Sequence, residues 1–341
     1  MKQLLLIGAV ALSTAWGTAN AAGTRDRVSV VGSATLFPLA SVVGETFGHR
    51  GRWKTPTVES TGTGQGFRLF CGGVGPETPD ITDASRPMSP EERAACARNQ
   101  VGEVVALRVG LDGILIANGR SAARFDLTRE HLYRALARKV PVNGKLVANP
   151  YRRWRDVDPR LPDLPILVYG PAPNHGTRDA FVQLAMRPAC ERQAEVRALD
   201  EAGRRAACES MREDGAWVDV TGDYSVLLAR LVAEPRAVGV LGYGFLDRNR
   251  DRVQAARIDG IVPTLDAILS GTYPLSRPLF LYVKSAHVGR VPGLKEFLNE
   301  FLSERASGSE GYLVDAGLVP QRQDALDAER RKIAAMGTRV R

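Results

Sequence analysis

Histidine is scarce in this chain. The four present, His49, His131, His175 and His287, are too far apart for the H-E-x-x-H spacing that sets two imidazoles on one helix face around a metal. No G-x-S-x-G elbow presents a nucleophilic serine, and no Gly-Lys-Ser/Thr phosphate loop occurs. With no catalytic set to be found, an enzyme is not expected, and neither is a cofactor. A periplasmic phosphatase stays the rival enzyme reading, because an anion cradle also stabilises phosphoryl transfer. Aromatic residues are only 6% of the chain, which leaves little material for the apolar walls of an organic-ligand pocket. No run reaches the roughly 18 apolar residues that a membrane span requires. The N-terminal run Leu4 to Leu12 is short, follows Met1-Lys2 and precedes Ala19-Asn20-Ala21, the pattern of a secretory signal cleaved after about Ala21. No cysteine stands directly after that point, so a lipid anchor is not expected. A free, soluble and monomeric periplasmic protein is.

What is present is a moderate excess of positive charge. The formal charge is +8, and it falls by one when Lys2 leaves with the signal, an imbalance that attracts anionic partners. The basic residues are scattered and no nucleic-acid-binding signature appears, so nucleic acid is not expected as a partner. Four cysteines in an exported chain point to two disulfides. Three connectivities are open. The local one, Cys71 with Cys96 and Cys190 with Cys208, is preferred because each bridge then stays inside one lobe.

Two lobes are expected on size, since 320 residues remain of 341 after a 21-residue signal and single cores stop growing near about 250 to 300 residues. Short β-rich runs alternate with helical ones: Val28 to Val31 reads as a strand, Pro38 to Phe47 as a helix, Thr57 to Glu59 as a strand. That is an α/β pattern. Ser89-Pro90-Glu91-Glu92 starts a helix with a capping box, and Thr128 caps another running to about Arg138. Residues 140 to 165 read as a surface excursion carrying an exposed Tyr151-Arg152-Arg153-Trp154. A strand from Pro165 to Tyr169 precedes a turn and a helix from Asp179, and Val238 to Tyr243 reads as a buried strand.

Three segments share one design, in which a strand ends in a turn of small or hydroxyl residues and a helix follows at once. Unpaired N–H groups and the partial positive charge of a helix N-terminus make such a junction an anion cradle. Gly32-Ser33-Ala34-Thr35-Leu36-Phe37-Pro38 offers the Ser33 and Thr35 hydroxyls and the amides of Thr35 and Leu36. Glu59 to Phe67 contains Thr63 among three alternating glycines that allow close backbone approach. Asn174 to Phe181 contains His175, Gly176, Thr177 and Arg178, the last a planar fork suited to oxyanions, with Asp179 placed to hold it. A fourth loop, Asp80 to Pro87, adds Asp83, Ser85 and Arg86. Each of these also reads as an ordinary cap or turn. Their recurrence is what points to an anion.

From residue 28 to Leu313 the chain resembles the periplasmic phosphate-binding protein (PstS-like) of bacterial ABC phosphate transporters. The stretches that carry the resemblance are Val28 to Pro38, Val58 to Gly64, Ala84-Ser85-Arg86, Val168 to Pro171 with Gly176 to Phe181, and Tyr273-Pro-Leu-Ser-Arg-Pro278. It implies an α/β fold of two lobes, a periplasmic binding protein of type II with two crossover hinge strands, here Asp112 to Ala117 and Arg257 to Ile261. Lobe 1 would hold residues 22–116 and 260–341, and lobe 2 residues 117–259. It further implies inorganic phosphate as ligand and a membrane ABC permease as partner. Ser33, Thr35, Leu36, Thr63, Ser85 and Arg86 would bind from the first lobe, and Gly176, Thr177 and Arg178 from the second. His175 stands where the family has serine. Arg86 stands where some members carry the aspartate that accepts the proton of monohydrogen phosphate, which leaves Asp83 as the nearest substitute. Asp223 and Tyr224 precede a helical run from Ser225 to Ala233 and read first as its N-cap, although the resemblance puts polar residues near there at the cleft edge. The alternative is the same fold binding another oxyanion or an organic phosphate.

Overall fold

The computed structural model describes residues 25–337 apart from 174, 222 and 223, so the signal sequence and the Asp223 assignment lie outside the described residues. Among the described residues thirteen strands run in chain order. β1 (Ser29–Gly32), β2 (Thr57–Ser60), β3 (Ile81–Ala84) and β4 (Val104–Gly119) come first. β5 (Asp126–Leu127), β6 (Lys139–Val142), β7 (Lys145–Ala148) and β8 (Val168–Pro171) follow. β9 (Trp217–Val220), β10 (Val238–Gly242), β11 (Val253–Ala255), β12 (Arg257–Ile258) and β13 (Ser276–Lys284) complete the set. The main sheet has the order β2-β1-β3-β13-β4-β10-β8-β9, with β11 also on β4. This is the curled mixed sheet of a two-lobed α/β protein.

Strand β4 spans both lobes. Residues 104 to 113 pair antiparallel with β13, whereas Ile114 to Asn118 pair with β10, so the chain passes from one sheet segment to the other between Gly113 and Ile114. The first crossing therefore falls within the expected Asp112 to Ala117. The return does not follow Arg257 to Ile261. Arg257 and Ile258 pair parallel with β5 in a separate two-stranded sheet, and Ile258 packs in the same core as Leu115 and Trp154. The chain rejoins the first sheet later: the Ile114 amide donates to the Leu275 carbonyl at 2.8 Å, the Tyr273 hydroxyl donates to the Ile114 carbonyl, and Ser276 opens β13 opposite Gly113.

Each side has its own core. One gathers Val30, Leu39, Phe47, Ile81, Leu281 and Phe297, with Phe47 edge-on to Phe297. The other gathers Tyr133, Trp154, Phe181 and the second half of β4. A satellite cluster around Phe67, Phe70 and Tyr282 holds the Cys71–Cys96 disulfide, and Cys190–Cys208 closes the other pair, so the local connectivity is the one present. Residues 140 to 165 are not a bare excursion. They contain the β6–β7 hairpin and the short helix Trp154–Val157, and Trp154 is fully buried, edge-on to Phe125. The arginines beside it stay outside because Arg153 pairs with Asp163 and Arg152 with Asp214.

Helices α1 (Phe37–His49), α2 (Thr63–Phe70), α3 (Pro90–Arg98), α4 (Arg129–Leu136), α5 (Trp154–Val157) and α6 (Gly176–Phe181) follow the strands in turn. Capping boxes open α3 at Ser89 and α4 at Thr128, as expected, but α4 stops at Leu136 because Ala137 turns to extended backbone. Helix α6 starts at Gly176, ahead of the expected Asp179. No helix among the described residues is long and apolar enough to cross a membrane.

Candidate functional site

The four loops singled out from the sequence all leave the carboxyl ends of strands: Gly32 of β1, Ser60 of β2, Ala84 of β3 and Pro171 of β8. β1, β2 and β3 run parallel to one another, as β8 does to β9 and β10. In open α/β sheets ligands bind beyond these ends, where chain turns into helix and N–H groups point outward.

In the first lobe the cradle is tightly built. Gly32, at φ +145°, lies so close to β3 that an added Cβ would fall 2.1 Å from the Asp83 carbonyl oxygen, so only glycine lets the turn fold back. The Ser33 amide donates to Asp83 Oδ1 at 2.5 Å. The Thr35 amide donates to Ser33 Oγ at 3.2 Å, and the Leu36 amide to the Ser33 carbonyl at 3.1 Å. Both amides expected to face a ligand thus hold the turn together here, and Leu36 itself is fully buried. Thr63 begins α2, and its hydroxyl lies 3.3 Å from Ser85 Oγ and accepts from the Ser85 amide. Arg86 makes a bidentate pair with Glu92 at 2.8 and 2.7 Å over the Phe67 ring, with Glu92 raising its pKa. Asp83 is wholly buried. Burial pushes its carboxyl up to about 7, against the lowering effect of the Ser33 amide.

In the second lobe His175 caps α6. Its Nδ1 accepts from the Thr177 amide at 3.1 Å, so in the neutral ring the proton sits on Nε2. Burial lowers the imidazole pKa, which keeps that neutral form at physiological pH. The ring thus caps the helix through Nδ1. Arg178 is not held by Asp179. Its guanidinium stacks 4.3 Å over Trp217 and pairs with Asp219 at 3.0 Å, while the Trp217 indole donates to the same Asp219 oxygen. Burial pulls the Arg178 pKa down and Asp219 opposes that.

The lobes meet at Thr35 and Gly176. A methyl group on Gly176 would lie 2.8 Å from Thr35 Cα and 3.0 Å from the Ala34 carbonyl oxygen, and Thr35 Oγ1 reaches the Gly176 carbonyl at 3.4 Å. A cavity of about 220 Å³ opens beside this seam, lined by Thr35, Asp112, His175, Thr177 and Asp315. Each carboxylate in its wall faces a guanidinium, Asp112 that of Arg277 at 3.4 Å and Asp315 that of Arg248 at 2.8 Å. Ser33 therefore meets Thr35 within one turn, Thr63 meets Ser85, and Thr35 meets Gly176. Arg86 and Arg178 are each turned to a carboxylate of their own lobe. The sequence reading missed Arg277, Asp219 and Gln183. Arg277 lies in one of the segments that carried the resemblance, but no role attached to it there.

Residues 17–305 match the PBP superfamily domain. Protein SphX of Synechococcus elongatus is 27% identical over 93% of this chain and 84% of its own. Phosphate-binding protein PstS of Staphylococcus saprophyticus is 25% identical over 94% and 90%. Among solved structures, one described as a possible phosphate binding protein from Planctomyces limnophilus superposes with a TM-score of 0.74 at 25% identity, covering 93% of this chain and all of that one. The chain belongs to the PBP superfamily.

Proposed function

We propose that this protein is the solute-binding component of an ABC phosphate transporter. In this reading it captures inorganic phosphate at the seam between its lobes, outside the cytoplasmic membrane, and presents it to a membrane permease. The observation that carries the reading is the meeting of the Ser33–Thr35 hydroxyl turn with the N-terminus of α6 at Gly176. Relatives named as phosphate-binding proteins that align over most of both chains support the same ligand. The exported, periplasmic placement rests on the N-terminal segment and on the two disulfides, which persist in oxidising compartments.

The lobes in this reading are residues 25–113 with 276–337, and residues 114–275. Phosphate takes the Thr35 hydroxyl from the first, and the Gly176 and Thr177 end of α6 from the second. Ser33, Leu36, Thr63 and Ser85 shape the cradle and Asp83 stands behind it. His175 caps α6 through its Nδ1. Arg86 and Arg178 set the positive potential of the cleft and exchange part of their carboxylate pairing for the anion. Because ligand bonds both lobes only when they are closed, it shifts the lobe equilibrium. The protein acts as a monomer, without a cofactor, and as a carrier, not a catalyst.

Calorimetric titration of the ligand-stripped protein with phosphate and then sulfate at neutral pH tests this. One-to-one binding with Kd at or below ~1 μM, roughly −8 kcal/mol, is expected for phosphate. Absence of both binding heat and thermal stabilisation by phosphate would refute the ligand assignment.

A further inference from the structure

We propose that Arg277 is the positioning residue that couples lobe closure to capture of the anion. It is the second residue of β13, directly opposite Asp112 on β4, one residue before Gly113, the last that β4 pairs with β13. Its side chain is only 7% exposed. From that point one guanidinium reaches three parts of the fold. Nη2 donates to Thr35 Oγ1 at 2.8 Å, on the first-lobe turn. Nη1 donates to Gln183 Oε1 at 2.7 Å, on the second-lobe helix, and Gln183 in turn donates to Asp179 Oδ1 at 2.8 Å. Asp112 and Asp179 face it at 3.4 and 3.8 Å.

Two consequences follow from this geometry. A threonine hydroxyl has one proton and two lone pairs. With Arg277 on a lone pair, the Thr35 proton is left to be given away, and here it points across the seam to the Gly176 carbonyl. A hydroxyl fixed as a donor suits a fully or partly ionised oxyanion, which offers acceptors. The second consequence concerns charge. Asp112 is buried, and its carboxyl is raised by that burial with Arg277 acting against the rise. Without the guanidinium, Asp112 and Asp179 would face the seam uncompensated and repel an arriving anion. Gln183 belongs to the π-helical turn Val182–Met186, which continues α6. The widened turn is the segment through which Arg277 holds the second lobe, and such insertions recur at functional positions.

The coupling rests on the seam being the phosphate site, so the test carries one readout that needs no ligand. R277Q, R277K and the double variant D112N/R277Q would be compared with the parent protein after ligand stripping. Small-angle scattering of the ligand-free proteins reads lobe opening, and calorimetry at neutral pH reads phosphate affinity. R277Q should expand the ligand-free protein and weaken phosphate binding about 30-fold or more, as expected for a charge-assisted hydrogen bond lost at a desolvated site. R277K, which keeps charge but cannot fork, should lie between. D112N/R277Q should regain part of the lost affinity, because the uncompensated carboxylate is gone. A merely structural role would lower the melting temperature without that recovery, and this result would overturn the proposal. So would R277Q with unchanged dimensions and an affinity within threefold of the parent. If the parent bound no phosphate while R277Q still opened the lobes, the ligand assignment would fall and the closure role of Arg277 would stand.

Discussion

Replacing Asp83 by asparagine removes one buried carboxyl and keeps an oxygen to accept from the Ser33 amide. In the folded protein burial pushes this carboxyl up to about 7 from an ordinary 3.8. Between those pH values the folded state keeps a proton that the unfolded chain has released. Stability must then fall as pH rises, by 1.36 kcal/mol for each pH unit, and the loss is complete above about pH 7, where both states are ionised. Across the interval the penalty amounts to roughly 4 kcal/mol, a large fraction of a domain's usual 5–15 kcal/mol. The D83N variant carries no such titration. Urea unfolding at pH 4, 6 and 8 should give nearly equal stabilities for variant and parent at pH 4, with the variant ahead by about 3 to 4 kcal/mol at pH 8. Parallel stability curves for the two proteins from pH 4 to 8 would refute the argument, because they would mean that Asp83 is ionised in both states throughout. A variant that is less stable at pH 8 would refute it more strongly, since it would show the carboxylate itself to be favourable behind Ser33.

Two further substitutions separate closure from contact. G176A adds a methyl that fits the open protein but meets the Thr35 and Ala34 backbone in the closed one, so phosphate affinity should drop about tenfold or more while the melting temperature of the stripped protein stays within ~2 °C. An unchanged calorimetric Kd would place the seam elsewhere. H175S keeps an N-cap acceptor for the Thr177 amide, so helix α6 and the affinity at neutral pH should survive, within about threefold, if the ring acts as a cap. A loss beyond tenfold by the same titration would assign the Nε2 proton a direct bond to the anion.

The parts of the fold legible in the sequence are those whose cause is local. Val28 to Val31 reads as a strand because an apolar run ends at a glycine, Ser89 as a helix start because the cap and its return glutamate lie within three residues, and Thr128 as one because a hydroxyl precedes a helical run. The Gly32 turn was legible for the same reason, whereas the helix after β8 starts at Gly176, three residues ahead of the expected Asp179, because His175 supplies the cap. The return crossing was not legible. Arg257 to Ile261 has the alternation of a strand, but its partner is β5, some 130 residues earlier in the chain, and nothing local distinguishes pairing with that short strand from pairing with β4. Trp154 followed two arginines and so looked exposed. Its burial depends on Phe125, and the arginines are drawn outward by Asp163 and Asp214.

The site shows the same division more sharply, and helix geometry explains it. Consecutive residues on a helix do not face each other, whereas residues four apart do. Asp179 therefore could not hold Arg178. It turns toward Gln183, four residues on, and toward Arg277, while Arg178 points to the opposite side and meets Asp219 and Trp217 on β9. The sequence reading thus gave Arg178 the wrong carboxylate, Asp179 in place of Asp219. Those partners decide the behaviour of the site. An Arg178 anchored within its own lobe can lend potential to the cleft without moving when the lobes do. Arg277 bonds the turn of one lobe and the helix of the other, and so it must break at least one of those bonds on opening. Of the arginines near the seam, Arg277 is the one whose hydrogen bonds measure closure itself.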